Sequence, residues 1–243
     1  MATPAAKYGD VETGNNGQLY PSMMENPQLR WGFIRKVYVI LSMQLLLTVG
    51  VSVTVMFVRP ISHFLTRTTP GLVVYILIII FTLILLWPLH VYQKRHPVNL
   101  FLLTLFTLGM SCSVGLSCAL SKGRIVLEAG ILTCVVVVGL TLYTFWAAKR
   151  GQDFQFLWPF LFASLLVLMV FSFIQIFLPL GHIGSMIWGC LGAIVFSGFI
   201  IYDTDNLIKR FNYDEYVPAA VCLYLDILNL FLALLSLLEG ADN

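Results

Sequence analysis

The sequence predicts an all-α membrane protein, a bundle of seven transmembrane helices. Three observations predict it. Of 243 residues, 59% are hydrophobic and only 11% charged, with a mean hydropathy of +0.89, far from the roughly 45–50% apolar content of soluble domains. The apolar residues fall into seven runs, each close to the roughly 20 residues a helix needs to cross a bilayer. The basic residues collect in the short connections between those runs.

Taken in order, residues 1–32 carry Gly14, Asn15, Asn16, Gly17, Pro21 and Pro27 without the basic-then-apolar layout of a leader. They read as a polar cytosolic tail, and residues 33–243 as the transmembrane domain. Val37 to Val58 is an uncleaved first span and Gly71 to Tyr92 the second, with Pro88 beside Trp87 near its end. Val98 to Leu120 is the third. Its Thr104, Thr107, Ser111, Gly115 and Cys118 form a polar-to-small stripe, read first as packing and second as pore lining. The fourth, Ile125 to Ala148, holds Glu128 four residues after Arg124, an interfacial ion pair in the first reading and a vestibule for cations in the second. The fifth, Phe154 to Leu178, carries Pro159 as a candidate kink. Ile183 to Tyr202 and Val217 to Leu238 complete the set. Cys112, Cys118, Cys134, Cys190 and Cys222 all lie within predicted spans, where they act as small apolar residues.

Charge asymmetry predicts the orientation. Lys7, Arg30, Arg35, Lys36, Lys94, Arg95, Lys149, Arg150, Lys209 and Arg210 lie on the side of the N-terminus, against Arg59, Arg67, Lys122 and Arg124 opposite. The N-terminus is therefore expected in the cytosol. Seven full spans place Glu239 to Asn243 on the other face, whereas a last helix that dips in and returns places them on the same one.

Several function classes are set aside. The loops are too short for extracellular ligand domains, and no Asn-x-Ser/Thr acceptor occurs. The net charge of +2 gives no footprint for nucleic acid. His63, His90, His96 and His182 lack the spacing of a zinc site. Gly184-Ser185 lacks the rest of a nucleophile loop and reads as a helix start, so no enzymatic activity and no cofactor is expected.

The ionisable residues inside the spans carry the functional reading. Asp226 sits in the middle of the last run, where an acid costs roughly 2.5–3.5 kcal/mol on insertion scales and therefore faces the bundle interior, a partner or a water-filled cavity. Steps of three and four from it meet Ala219, Cys222, Asn229, Ala233, Ser236 and Gly240, all small or polar. Its partner should come from the sixth helix, which only a short loop separates from the seventh. Counting from Lys209 and Arg210 at 1.5 Å per residue sets Asp203 about 10 Å deep and Asp205 about 7 Å; counting from Tyr216 sets Asp226 about 15 Å deep. Asp203 is the better match. Asp205, two positions on, points to nearly the opposite face, toward cytosol or the basic loop residues. A seam of Gly189, Ala193 and Ser197 on the sixth helix does not run in line with Asp203. Two carboxylates in one dehydrated site cannot both ionise cheaply, so they can share a proton. Without it, the same oxygens suit a hard cation, above all calcium. Asn229, Glu128 and Asp205 are the weaker candidates for the same pathway.

The segment IYDTDNLIKRFNYDEYVPAAVCLYLDILNLFLALLSLL resembles the C-terminal signature of the transmembrane Bax inhibitor motif family, in its Lifeguard branch. LYPSMMENPQLRWGFIRKVYVILSMQLLLT, KRHPVNLFLLTLFTL, VLEAGILTCVVVVGLTLYTF and FSFIQIFLPLG are similar to the same branch, above all its plant members. The resemblance implies a seven-helix bundle with the last helix central. It implies a calcium leak from a store into the cytosol, gated by two aspartates that match Asp203 in YDT and Asp226 in LYLD. It also implies suppression of programmed cell death and, in plants, an effect on susceptibility to fungal attack.

The expectation is thus a pH-sensitive calcium leak channel of the endoplasmic reticulum or another endomembrane, with the lipid bilayer, calcium, protons and cell-death regulatory membrane proteins as partners. Its rivals are a membrane scaffold acting through protein partners and a proton-coupled cation exchanger. A receptor coupled to a G protein is disfavoured by the minimal loops.

Overall fold

The computed structural model of the protein describes residues 18–58, 60, 63–65, 68–178 and 180–242. Lys7, the Gly14 to Gly17 stretch, Arg59 and Arg67, used above for the tail and the charge count, lie outside the described residues. Seven helices long and apolar enough to cross a membrane run through the chain: α1 (Pro27–Phe57), α2 (Thr69–Val91), α3 (Val98–Leu120), α4 (Gly123–Lys149), α5 (Leu157–Phe177), α6 (Gly181–Lys209) and α7 (Tyr216–Asp242).

Capping explains where some of them begin. Asn26 caps α1 by accepting from the Gln28 N–H at 2.9 Å, with Pro27 in the first turn. The helix thus starts ten residues before the predicted span, inside the stretch assigned to the tail. Thr68 caps α2 by accepting from the Gly71 N–H at 3.1 Å. α5 starts at Leu157 rather than Phe154, which puts Pro159 in the first turn, where its missing N–H breaks no helical bond. That position corrects the expected kink. Pro88 does lie inside α2, near its end.

α7 is the central helix. Of its most apolar 18-residue window 56% is buried, against 11–39% for the others. It packs against α1, α3, α4 and above all α6, while α2 leans on α3 and α5 on α6. Outward faces of α2 and α5 are correspondingly apolar and exposed, as a lipid-facing surface requires.

The termini of the bundle lie at opposite ends. α7 is one unbroken helix of 27 residues, about 40 Å long, and Asp242 at its end pairs with Lys122 Nζ at 2.5 Å in the connection between α3 and α4. At the N-terminal end, Arg30 Nη1 donates to the Phe211 carbonyl at 2.6 Å, in the loop between α6 and α7. A last helix that turns back is thereby excluded.

A polar ladder ties the centre to its neighbours. Gln44, Thr48 and Ser52 repeat every four residues on α1 and are buried. Gln44 Nε2 donates to Thr107 Oγ1 at 3.0 Å, Ser111 Oγ to Thr48 Oγ1 at 3.1 Å, and Thr48 Oγ1 and the Tyr224 hydroxyl of α7 share a bond at 2.7 Å. Gly115 lets α1 approach: a Cβ there would meet Ser52 Cα at 3.0 Å. The α3 stripe from Thr107 to Gly115 is therefore packing against α1, while Thr104 is exposed and bonds its own helix. Tyr224→Phe should cost about 1 kcal/mol, because a buried hydroxyl bond is lost without opening a cavity. The measurement is the thermal midpoint in detergent, expected to fall by about 2–4 °C.

Candidate functional site

Only residues 210–215 join α6 to α7, so the two helices lie antiparallel and in contact along their length. Glycine makes the contact close. A Cβ on Gly189 would sit 2.6 Å from both the Ala233 carbonyl oxygen and the Leu237 nitrogen, and one on Gly192 would sit 3.0 Å from Ala233 Cβ. From α7, Ser236 Oγ donates to the Ser185 carbonyl at 3.3 Å, and a Cβ on Gly240 would lie 3.0 Å from the His182 carbonyl. The small stripe of α7 thus faces α6, as its spacing predicts.

The seam of α6 needs correction. It steps from Gly189 through Gly192 rather than through Ala193 and Ser197, and Gly189 and Asp203 are separated by two heptads. Residues at heptad spacing stay on one seam between helices crossing at a shallow angle. Asp203 is therefore in line with the glycines.

At the end of this seam the carboxyls of Asp203 and Asp226 come within hydrogen-bonding reach of each other. Asp226 is only 7% exposed, and its Oδ2 has no hydrogen-bond partner. Asn206 Nδ2 approaches Asp203 Oδ1 at 3.5 Å. Among the described residues no lysine or arginine forms a salt bridge with either acid. Bare carboxylates only accept hydrogen bonds, so these two can bond only while one of them holds a proton.

Asp205 has a different environment. Its Oδ1 pairs with Lys209 Nζ at 2.5 Å and its Oδ2 accepts from the Phe154 N–H at 3.4 Å. It is fully buried. The expected turn toward basic residues is found, but the alternative of cytosolic exposure is corrected: the side chain is enclosed by the connection between α4 and α5. The same connection is fastened by Arg210 to both oxygens of Asp153, at 2.9 and 3.1 Å, by Gln155 Nε2 to Asn206 Oδ1 at 2.8 Å, and by Lys209 to the Gln152 carbonyl. Partial burial pulls the Asp153 carboxyl upward, but the Arg210 guanidinium and the Gln155 N–H outweigh it and hold it below the usual carboxylate range. Lys209 and Arg210 are thus neutralised rather than free interfacial charges.

The two other candidates stand apart from the pair. Asn229 Nδ2 donates to the Leu225 carbonyl of its own helix at 2.8 Å, so its amide is turned back rather than toward Asp226. Glu128 accepts from Arg124 Nε at 2.7 Å, half-exposed near the opposite end of the bundle. The interfacial ion pair is what the structure contains.

One cluster had no counterpart in the sequence reading. Arg30, 2% exposed, donates to Glu25 Oε2 at 2.6 Å as well as to Phe211, and its guanidinium lies 5.0 Å from the Tyr213 ring centre. The Tyr213 hydroxyl donates to the same Glu25 oxygen at 2.7 Å. With Leu19 and Met23 buried beside it, the segment before α1 is strapped across the α6–α7 loop. The Tyr213 bond, with the Arg30 pair after it, holds Glu25 below the usual carboxylate range. A depressed folded value means that this contribution is present above the unfolded value of about 4.3 and is lost as pH falls through the folded one. Near neutral pH the strap does not titrate. Glu25→Ala should raise hydrogen exchange at the Met23 amide, which bonds the Tyr20 carbonyl at 3.2 Å, by about threefold, consistent with a half-exposed ion pair.

The model of the family described as inhibitor of apoptosis-promoting Bax1 matches residues 30–243. Lifeguard 4 of Arabidopsis thaliana is 60% identical over 236 residues, with 96% of each chain covered. Mouse lifeguard 4 is 38% identical, covering 88% of this chain and 87% of its own. The Golgi anti-apoptotic protein of vaccinia virus (strain Lister) is also 38% identical, with 88% of each chain covered. A full-length match at this identity, on a seven-helix bundle whose central last helix carries the acid expected in LYLD, places the chain in the Bax inhibitor family, within its Lifeguard branch.

Proposed function

We propose that the protein is a calcium leak channel of an intracellular membrane, opened when Asp203 and Asp226 lose the proton they share. Suppression of programmed cell death is its output. One observation carries the reading: two acids of facing helices meet in an apolar interior, without a cation beside them and with one carboxyl oxygen unpartnered. A purely structural contact between α6 and α7 would use neutral residues there, as it does at Gly189, Gly192, Ala233 and Ser236.

The protonated pair latches α6 to α7. Loss of the proton leaves two negative charges in one low-dielectric site, where repulsion is several times stronger than in water, and the helices separate locally. Two carboxylates supply too few oxygens for a resident calcium, which takes six to eight ligands; they suit an ion that passes with part of its water. Toward the opposite end of α6, a cavity of about 330 Å³ is lined by Ser172, Gln175, Trp188 and Ser236, and offers polar contacts on that side.

The family description and the name of the viral relative support the cell-death output and an internal membrane. The basic count supports a cytosolic N-terminus, with which the opposed ends of the bundle make a lumenal C-terminus consistent. The test is flux from calcium-loaded liposomes across pH. The Asp203→Asn, Asp226→Asn double variant should lose the pH dependence, and a double variant that leaks as the parent does at every pH sinks the proposal.

A further inference from the structure

We propose that the groove between α1 and α4 binds one anionic glycerophospholipid, its headgroup held by Arg35 and Lys149 and an acyl chain lying along the groove floor. The proposal is independent of the acid pair.

α1 and α4 each pack on α7. Between them lies a cavity of about 820 Å³, within the range of small-molecule sites. Its walls are Trp31, Gly32, Arg35 and Tyr38 on one side and Phe145 and Lys149 on the other. Gly32 leaves its wall open: a Cβ added there meets nothing within 4 Å. Trp31 stacks on Phe145 from one wall to the other, with ring centres 5.9 Å apart.

The charge is one-sided. Among the described residues no acidic side chain lines the groove, and neither Arg35 nor Lys149 forms a salt bridge. Neighbouring basic residues are committed elsewhere: Lys36 lies 3.2 Å from the Tyr216 ring centre and Arg150 3.9 Å from that of Trp146. An apolar trough lined by two cations without a salt-bridge partner matches an acyl chain joined to a phosphate. Basic pockets between transmembrane helices on the cytosolic side recognise anionic headgroups by this geometry. The trough supplies the apolar contact, and the cations supply the preference for charge.

Native mass spectrometry of the full chain in detergent tests it, with phosphatidylserine and phosphatidylcholine of identical acyl chains. The parent should retain one phosphatidylserine at about thirtyfold lower lipid concentration than phosphatidylcholine, given two basic contacts. Arg35→Ala, Lys149→Ala should remove that preference, and Gly32→Leu, which fills open space, should lower retention of both lipids while circular dichroism stays that of the parent. Lys94→Ala, Arg95→Ala removes equal charge from the same face outside the groove and should leave the preference intact. An unchanged preference in the Arg35, Lys149 variant overturns the proposal. So does an equal loss in the Lys94, Arg95 variant, which would mean diffuse charge, or full displacement by soluble glycerophosphoserine, which would mean a headgroup site without a chain.

Discussion

Asp226→Asn, made alone, is expected to hold calcium permeability at the parent's acid-pH level throughout the pH range. The introduced amide donates to the Asp203 carboxylate at every pH, as the shared proton does only while bound, and a bond to a charged acceptor is about twice as strong as a neutral one. Asp203→Asn should act in the same way with donor and acceptor exchanged. Asp226→Ala differs in sign: it leaves Asp203 without the group that latched it, so the leak should be high and equally insensitive to pH. Under the proposed latch, acid pH keeps the parent's pair protonated and the bundle closed, and rising pH opens it. A single shared proton limits the response to about tenfold in flux per pH unit. Flux from calcium-loaded liposomes followed with an indicator dye reads all three variants. Parent-like pH dependence in Asp226→Asn would place the sensor elsewhere, and a slope steeper than tenfold would require a second proton. Asparagine is close to aspartate in shape, so loss of fold does not confound the comparison.

Hydropathy located every helix and misjudged several ends, for a common reason. Charged or polar side chains that are paired inside the protein look like loop in a sequence. α1 runs back to Pro27 because Arg30 is buried against Glu25 and Phe211, and α6 runs on past Tyr202 because Asp205 and Lys209 neutralise each other. Asp226 was legible because a lone acid in an apolar run has few explanations. Asp203 followed from depth. The seam that aligns the two was misread because an assumed step of four residues drifts off a contact that alternates three and four. The Glu25, Arg30 and Tyr213 cluster joins residues far apart in the chain by contacts that carry no local periodicity. Gln44, Thr48 and Ser52, by contrast, announce a polar face through their regular spacing, and only their partner Tyr224 needed the structure.

The glycine seam sets the largest expected loss of stability. Gly189→Ala should destabilise the bundle by about 1–3 kcal/mol, the usual range for overpacking, because the new methyl meets the Ala233 carbonyl oxygen and the Leu237 nitrogen at 2.6 Å. Both are backbone atoms of a helix and cannot turn aside as a side chain can. α6 and α7 would have to part, and their interface is the most extensive in the protein. Gly192→Ala should cost less, since its nearest contact is the Ala233 methyl at 3.0 Å. Gly139→Ala on α4 opens onto nothing within 4 Å and should be neutral or stabilising by up to about 1 kcal/mol through helix propensity alone. Thermal midpoints of the three variants in one detergent give the order. Equal stability of Gly189→Ala and Gly139→Ala would show that α6 and α7 are held apart in the membrane more than the seam requires. Gly189 lies about 21 Å along α6 from Asp203, so a wedge there tests the packing of the two helices without touching the acids. A Gly189→Ala protein that is destabilised yet keeps the parent's pH response would separate close packing at one end of this interface from the proton exchange proposed at the other.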